Sequence, residues 1–190
     1  LKLIYQKINF KIYSKSYDIK TNYIFTKLDL DPASESFFGY YDKSPINPSG
    51  EFLLFHSTKI NTKDHPDPNI ALDIVLYDIR NDKKEIVLES KSYNWQQGCR
   101  LQWINSHEFI CNTFNEIEKK HQSLIYNIHE SKVVKEIDRP IYDCFRDSFA
   151  ITLNFSHLGN LAKDYGYFNI VQDSIEYSKD GLWFIDLEDF

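Results

Sequence analysis

The sequence predicts an all-β chain: a β-propeller of four-stranded antiparallel blades, incomplete, with about three blades and the start of another. Three observations carry this. An apolar run that closes on Asp or Asn, turns, and enters another short strand occurs as IVLYDIRNDKKEIVL from Ile74 and as SLIYNIHESKVVKEI from Ser123. It begins again as LWFIDLEDF from Leu182. The equivalent positions Asp78, Asn127 and Asp186 lie about 50 and about 60 residues apart, close to the roughly 40 to 50 residues that one blade needs once loop insertions are allowed. Ahead of each unit sits a second strand pair: Tyr41 to Ser44 with Phe52 to Phe55, Arg100 to Trp103 with Glu108 to Cys111, and Tyr142 to Phe145 with Phe149 to Leu153. Four locally joined strands per period is the signature of a blade. A β-sandwich is the plainer alternative, but it shows no such period. No segment holds a 3.6-residue apolar stripe longer than about ten residues, so helices are not expected.

In chain order, residues 1–36 form N-terminal strands and a linker. Ile8, Phe10 and Ile12 alternate with Asn9 and Lys11, and Tyr23 to Phe25 is a looser apolar cluster, which together read as one or two strands. Asp29 to Ser36 is polar and broken by Pro32, a connection. Residues 37–90 are the first blade, 91–138 the second and 139–190 an incomplete third. The first blade opens on FFGYYDKSPINPSGEFLLF, in which four aromatics precede Asp42 and Lys43 and Asn47-Pro48-Ser49-Gly50 supplies a turn before the buried strand.

Composition narrows the function classes. In 190 residues the aromatic content is 16%, which suits both strands and sugar-facing surfaces. A formal net charge of -6 disfavours nucleic acid or an anionic membrane as partner, since both call for clustered Lys and Arg. Cys99, Cys111 and Cys144 form no CxxC pair and read as buried thiols. No run approaches the roughly 20 apolar residues of a membrane helix, and a cytoplasmic location is the expectation. The chain has no methionine, even at position 1, which is the mark of a fragment or of a lost natural start.

In a propeller the loop entering the innermost strand and the loop joining the second and third strands open on one face. The entering loops are Gly39 to Asp42, Asn94 to Arg100 and Arg139 to Asp143; the second set are the longest, His56 to Asp73, Asn112 to Gln122 and Asn154 to Ser178. Tyr40, Trp95, Tyr165 and Tyr167 offer faces for sugar rings with Tyr41 lining the same pocket, Gln96, Gln97 and Asn154 offer amides for hydroxyls, Asp42 a carboxylate, and Arg100 a bidentate grip on a carboxylate. Blade-to-blade packing is the competing reading for the large aromatics. Asp42 and Asp143 are equally suited to bonding backbone amides at a strand start. No cofactor is expected. A divalent metal is conceivable from His56, His65, His157 and Asp64, but their spacing matches no ligand motif, and no nucleophile-elbow, zinc-protease, Walker or dinucleotide fingerprint occurs.

FFGYYDKSP, NWQQGCRLQW and LNFSHLGNLAKDYGY resemble motifs of a bacterial family of TolB-like or WD40-like propellers, similar in fold to oligogalacturonate lyases and often associated with surface-polysaccharide biosynthesis. The likeness covers roughly residues 30 to 190. It implies a carbohydrate-binding or carbohydrate-processing protein whose ligand is an oligosaccharide or a nucleotide-sugar-derived compound. Family members are about twice this length, so it also implies that this chain is the N-terminal half, or that two copies complete a ring. Two alternatives stand beside it: a non-catalytic scaffold for protein partners, and a metal-dependent polysaccharide lyase, for which the matching histidine set is not evident.

Overall fold

The computed structural model describes residues 2–13, 20–162, 164–169 and 180–188. After a helix α1 (Lys2–Tyr13), eleven strands follow: β1 (Glu35–Phe37), β2 (Phe52–Thr58), β3 (Leu72–Asp78), β4 (Lys83–Ser90), β5 (Gln102–Trp103), β6 (Glu108–Asn115), β7 (Lys120–Asn127), β8 (Lys132–Ile137), β9 (Ile141–Phe145), β10 (Phe149–Thr152) and β11 (Trp183–Asp186). A second helix, α2 (Phe155–Leu161), lies between β10 and β11. The strands form three antiparallel sheets ordered β1-β2-β3-β4, β5-β6-β7-β8 and β9-β10-β11. These are the blades of a β-propeller, two of them four-stranded and the third with three described strands.

The repeat seen in the sequence is a repeated turn. Asp78 Oδ1 accepts from the backbone N–H groups of Arg80 and Asn81, Asn127 Oδ1 from those of His129 and Glu130, and Asp186 Oδ1 from that of Glu188. The residue after each then donates its N–H to the loop joining the first two strands of its own blade: Ile79 to Glu51, Ile128 to His107 and Leu187 to Ser148. A short carboxylate or amide at the end of the third strand therefore fixes the turn by bonding the backbone two and three residues on.

Period-2 alternation assigns faces. The cross-strand pairs Leu54/Leu76 and Ile110/Ile125 face the following blade and are buried by it. Phe109/Tyr126 and Ala150/Ile185 face the preceding blade. One core cluster, with Leu54, Leu76, Tyr93, Cys99, Phe109 and Tyr126, joins the first two blades. A second, built on Ile104, Ile110, Ile125, Ile137, Ile141 and Ala150, joins the second blade to the third.

Three expectations are corrected here. Residues 2–13 form a helix that buries no residue, where alternation predicts a strand. Tyr41 to Ser44 is a turn; the first strand of the first blade instead begins at Glu35, ahead of the expected boundary at residue 37, and resumes as a single bridge from Ile46 to Leu53. The first two second-set loops are shorter than their sequence bounds, because His56 lies within β2, Asn112 within β6, and only residues 116–119 join β6 to β7, whereas the third connection runs from the end of β10 to β11, beyond the bounds Asn154 to Ser178.

Buried polar groups tie the blades together. His121 Nε2–H donates to the carbonyl of Asn169 at 3.1 Å and Nδ1 accepts from the Ser92 hydroxyl at 2.7 Å. Burial holds its pKa down at about 4. A base whose folded-state pKa lies below its unfolded value of about 6.5 favours the unfolded chain as pH falls between the two. About 3 kcal/mol of stability is therefore lost from pH 6.5 to pH 4. Urea titrations across that range on the wild type and on His121→Gln are expected to show this loss in the wild type and a much smaller one in the variant.

Candidate functional site

All three innermost strands are irregular at the same level, and their irregularities meet. In the first blade β1 leaves β2 after Phe37↔His56 and returns only at Ile46↔Leu53, so residues 38–45 loop out of the strand. In the second, the Cys99 carbonyl accepts from Asn112 and Gln102 pairs with Ile110, so Arg100 and Leu101 oppose Cys111 alone; Arg100 takes the left-handed φ of 55°. In the third, Ile141 pairs with Thr152 and Asp143 with Ile151, leaving Tyr142 as the extra residue. Such bulges re-aim side chains at functional sites.

These segments touch. Gly39, with φ of 137°, lies so close to Gln97 that a Cβ would sit 2.9 Å from its carbonyl oxygen. The Arg100 guanidinium donates through Nε to the Tyr142 carbonyl at 2.7 Å, also through a terminal nitrogen, and lies over the Tyr142 ring at 4.4 Å. It pairs with Asp42 at 3.4 Å, and Lys43 bridges Asp42 and Asp143. Two cations and two anions thus form one chain, Arg100–Asp42–Lys43–Asp143. Its exposure is uneven: the Arg100 side chain is only 2% exposed, whereas Asp42 and Asp143 are 37% and 41% exposed. The network shows carboxylates to solvent and keeps its guanidinium inside.

Beside the charges stands a cluster of phenols. Tyr40 and Tyr41 have ring centroids 4.3 Å apart, and Tyr41 is 87% exposed. The hydrogen bond to Tyr41, then the neighbouring Tyr165 phenol and slight desolvation, raise the Tyr40 pKa above the ordinary phenol value. Tyr165 is brought in because the Asn94 amide donates to its carbonyl at 3.1 Å, while Asn94 Oδ1 accepts from the N–H groups of Gln96 and Gln97. Gln97 is buried with its Oε1 unpartnered.

The structure brings together Tyr40, Tyr41, Asp42, Gln97 and Arg100 of the sequence candidates, with exposed Gln96 on the same loop. It places three elsewhere. Trp95 packs on Phe37 and Tyr93 and donates its indole N–H to the Asp64 carbonyl at 2.7 Å. Tyr167 is buried, stacks on Phe155 at 4.4 Å and shares a 2.6 Å hydrogen bond with Asn112. Asn154 caps α2 by accepting from the His157 N–H. It also lines a separate cleft of about 290 Å³ between the second and third blades, with Arg139, Thr152 and Trp183. Of the residues gathered here, Lys43 and Tyr142 are not among the sequence candidates, whereas Tyr165 is one of the stacking aromatics the sequence offers. For Lys43 the signal is present, since it follows Asp42 directly.

The histidines do not converge on a metal centre. His56 is fully buried, stacks on Phe37, and accepts from the Cys99 N–H at 3.3 Å. His157 pairs with Asp180. Among the described residues no group of three or more His, Cys, Asp or Glu is placed to hold a metal ion. Likewise, among the described residues no helix is long and apolar enough to cross a membrane.

No family model matches the chain, and no curated protein does. Among solved structures it is similar to the β-propeller domain of the Trilobed protease from Pyrococcus furiosus, described as having an open velcro topology. That match has 19% identity and a TM-score of 0.42, and covers 57% of this chain and 32% of that one.

Proposed function

We propose that this propeller binds a carbohydrate at the mouth of its central channel, in the context of cell-surface polysaccharide metabolism. The observation that supports this reading best is the tyrosine cluster: Tyr41 stands almost fully exposed against Tyr40, whose phenol neighbours Tyr165, and the chain runs on directly into Asp42, which shares Lys43 with Asp143. Exposed rings offer stacking faces to a sugar, and phenols, carboxylates and amides bond its hydroxyls.

The charge network narrows the ligand. Arg100 is spent on Tyr142 and Asp42, and Lys43 on Asp42 and Asp143, so neither cation is free to grip an acidic sugar. The groups left facing solvent are anionic or neutral. The site therefore suits neutral or amino sugars better than uronates, which departs from a grip by Arg100 on a ligand carboxylate. A nucleotide-sugar-derived ligand is disfavoured on the same ground, since its phosphates would meet Asp42 and Asp143.

Binding without chemistry suits this set of side chains best. His56, held by the Cys99 N–H, and His157, paired with Asp180, lie apart and do not fit the metal-dependent lyase alternative. Calorimetric titration of a panel of neutral, amino-sugar and uronate oligosaccharides tests the proposal. The expected order is amino sugar or neutral sugar above uronate, and preferential binding of uronates would contradict the reading of the network.

A further inference from the structure

The cleft between the second and third blades opens on the same face as the mouth. It is lined where β7 and β11 begin, where β8 and β10 end, and where the chain enters β9, and in antiparallel sheets these are one end of the strands. Its volume of about 290 Å³ is close to the lower limit of roughly 300 Å³ for small-ligand sites, which suits one sugar ring with its substituents. One wall is aromatic. Trp183 stands two residues before Ile185 on β11, and Ile185 packs towards the second blade, so the period of two turns the indole to that side as well. The ring lines the cleft and is 52% exposed there, whereas Phe184 takes the opposite face of the sheet.

The charge of the cleft differs from that of the mouth. Lys120 is paired with Asp138 and with Glu118, so the two lining charges Lys120 and Asp138 answer each other. Arg139 is left over. It is exposed, and among the described residues its guanidinium has neither an ion pair nor a hydrogen bond. Its main chain is nevertheless fixed, because its carbonyl accepts from the Ser123 hydroxyl at 2.7 Å and the next carbonyl, of Pro140, accepts from the Thr152 hydroxyl. Asn154 spends its Oδ1 on the His157 N–H, which leaves its amide N–H groups for a ligand, and the Ser156 hydroxyl has no partner among the described residues. An unpaired guanidinium, an exposed indole face and two further donors form a set that holds a sugar carrying a carboxylate. The guanidinium grips the carboxylate, the indole stacks on the ring, and amide and hydroxyl bond the ring oxygens.

The mouth selects the opposite charge, since it shows the carboxylates of Asp42 and Asp143 and keeps Arg100 inside. One short run of chain joins the two sites: Arg139 and Pro140 line the cleft, and Tyr142 and Asp143 belong to the mouth. The four residue steps from Arg139 to Asp143 span at most about 14 Å, within reach of a short oligosaccharide. We infer that the cleft is a second sugar subsite that takes a uronate, so that the ligand is a mixed chain whose neutral or amino sugars occupy the mouth and whose uronate occupies the cleft. This rests on the carbohydrate reading of the mouth and adds to it the make-up of the chain that is bound.

Calorimetric titration of three tetrasaccharides tests this: one alternating N-acetylglucosamine with glucuronate, one of N-acetylglucosamine alone and one of glucuronate alone. The alternating chain is expected to bind the wild type about tenfold or more tighter than the uncharged chain, through the charge-assisted bonds of one carboxylate. The uniform uronate is expected to bind weakest, because it sets carboxylates against Asp42 and Asp143. Arg139→Gln is expected to erase the advantage of the alternating chain, and Arg139→Lys, which keeps the charge and loses the planar fork, to retain part of it. Trp183→Ala is expected to weaken the alternating chain by about tenfold, by analogy with aromatic stacking on bases. Arg139 is exposed and its side chain bonds nothing among the described residues, so its substitution leaves the fold intact, which thermal melting checks. An alternating chain no tighter than the uncharged one, or an advantage that survives Arg139→Gln, overturns the inference and leaves the mouth reading standing. Absence of binding by all three chains removes the carbohydrate reading itself, and the inference with it.

Discussion

Asn112→Ala is expected to destabilise the chain by about 3 kcal/mol or more and to loosen the third blade from the second. Asn112 is fully buried in β6 and its side chain makes four bonds. It donates to the Ile141 carbonyl at 2.9 Å and the Tyr167 hydroxyl at 2.6 Å, and accepts from the Ile141 N–H at 2.7 Å and the Ser123 hydroxyl at 2.8 Å. It thus satisfies both backbone groups of the residue that opens β9 and anchors the segment carrying Tyr165 and Tyr167. Alanine removes the bonds to the Ile141 carbonyl and the Tyr167 hydroxyl, while the Ile141 N–H keeps Ser123 Oγ at 2.9 Å and the Ser123 hydroxyl keeps the Arg139 carbonyl at 2.7 Å; each buried group left without a partner costs about 1 to 3 kcal/mol. Urea denaturation measures the loss, and Asn112→Asp, which keeps both acceptor bonds, is expected to fall between the wild type and alanine only where its carboxyl is protonated.

Gly98→Ala has a larger expected effect, about 4 kcal/mol or more, through overpacking and backbone strain together. Gly98 has φ of 59°, and a Cβ there would lie 2.2 Å from Cε1 of His56. The His56 ring has nowhere to go, being stacked on Phe37 at 4.9 Å and held by Cys99. Its Nε2 accepts, so Nδ1 carries the proton, and that buried N–H has no partner. A double-mutant cycle separates the causes. His56→Ala/Gly98→Ala is expected to cost clearly less than the sum of the single changes, because removing the ring relieves the clash and leaves only the left-handed backbone to be strained.

The blade period was legible because one residue type does one job three times. Asp78, Asn127 and Asp186 each close a turn that local sequence alone specifies. What could not be read was anything settled by distant partners. Arg100 looks like a ligand-gripping cation in sequence, but Tyr142 and Asp42, 42 and 58 positions away, bury it. Tyr41 to Ser44 has strand composition, yet Gly39 at φ of 137° turns the chain out of the sheet before it. Trp95 and Tyr167 share a loop neighbourhood with site residues, and only packing shows that their rings serve the core. Ile8, Phe10 and Ile12 alternate as in a strand, yet Lys2–Tyr13 is a helix that buries no residue, so no packing contact enforces the alternation.

The most direct test of the carbohydrate reading is calorimetric titration of one neutral or amino-sugar oligosaccharide into the wild type, Tyr41→Ala and Trp95→Phe. Saturable binding by the wild type, at least about tenfold weaker with Tyr41→Ala and nearly unchanged with Trp95→Phe, is the predicted result, a missing stacking ring being worth about 1 to 3 kcal/mol by analogy with aromatic stacking on bases. Heats indistinguishable from dilution across the sugar panel, or binding that ignores Tyr41, would contradict it.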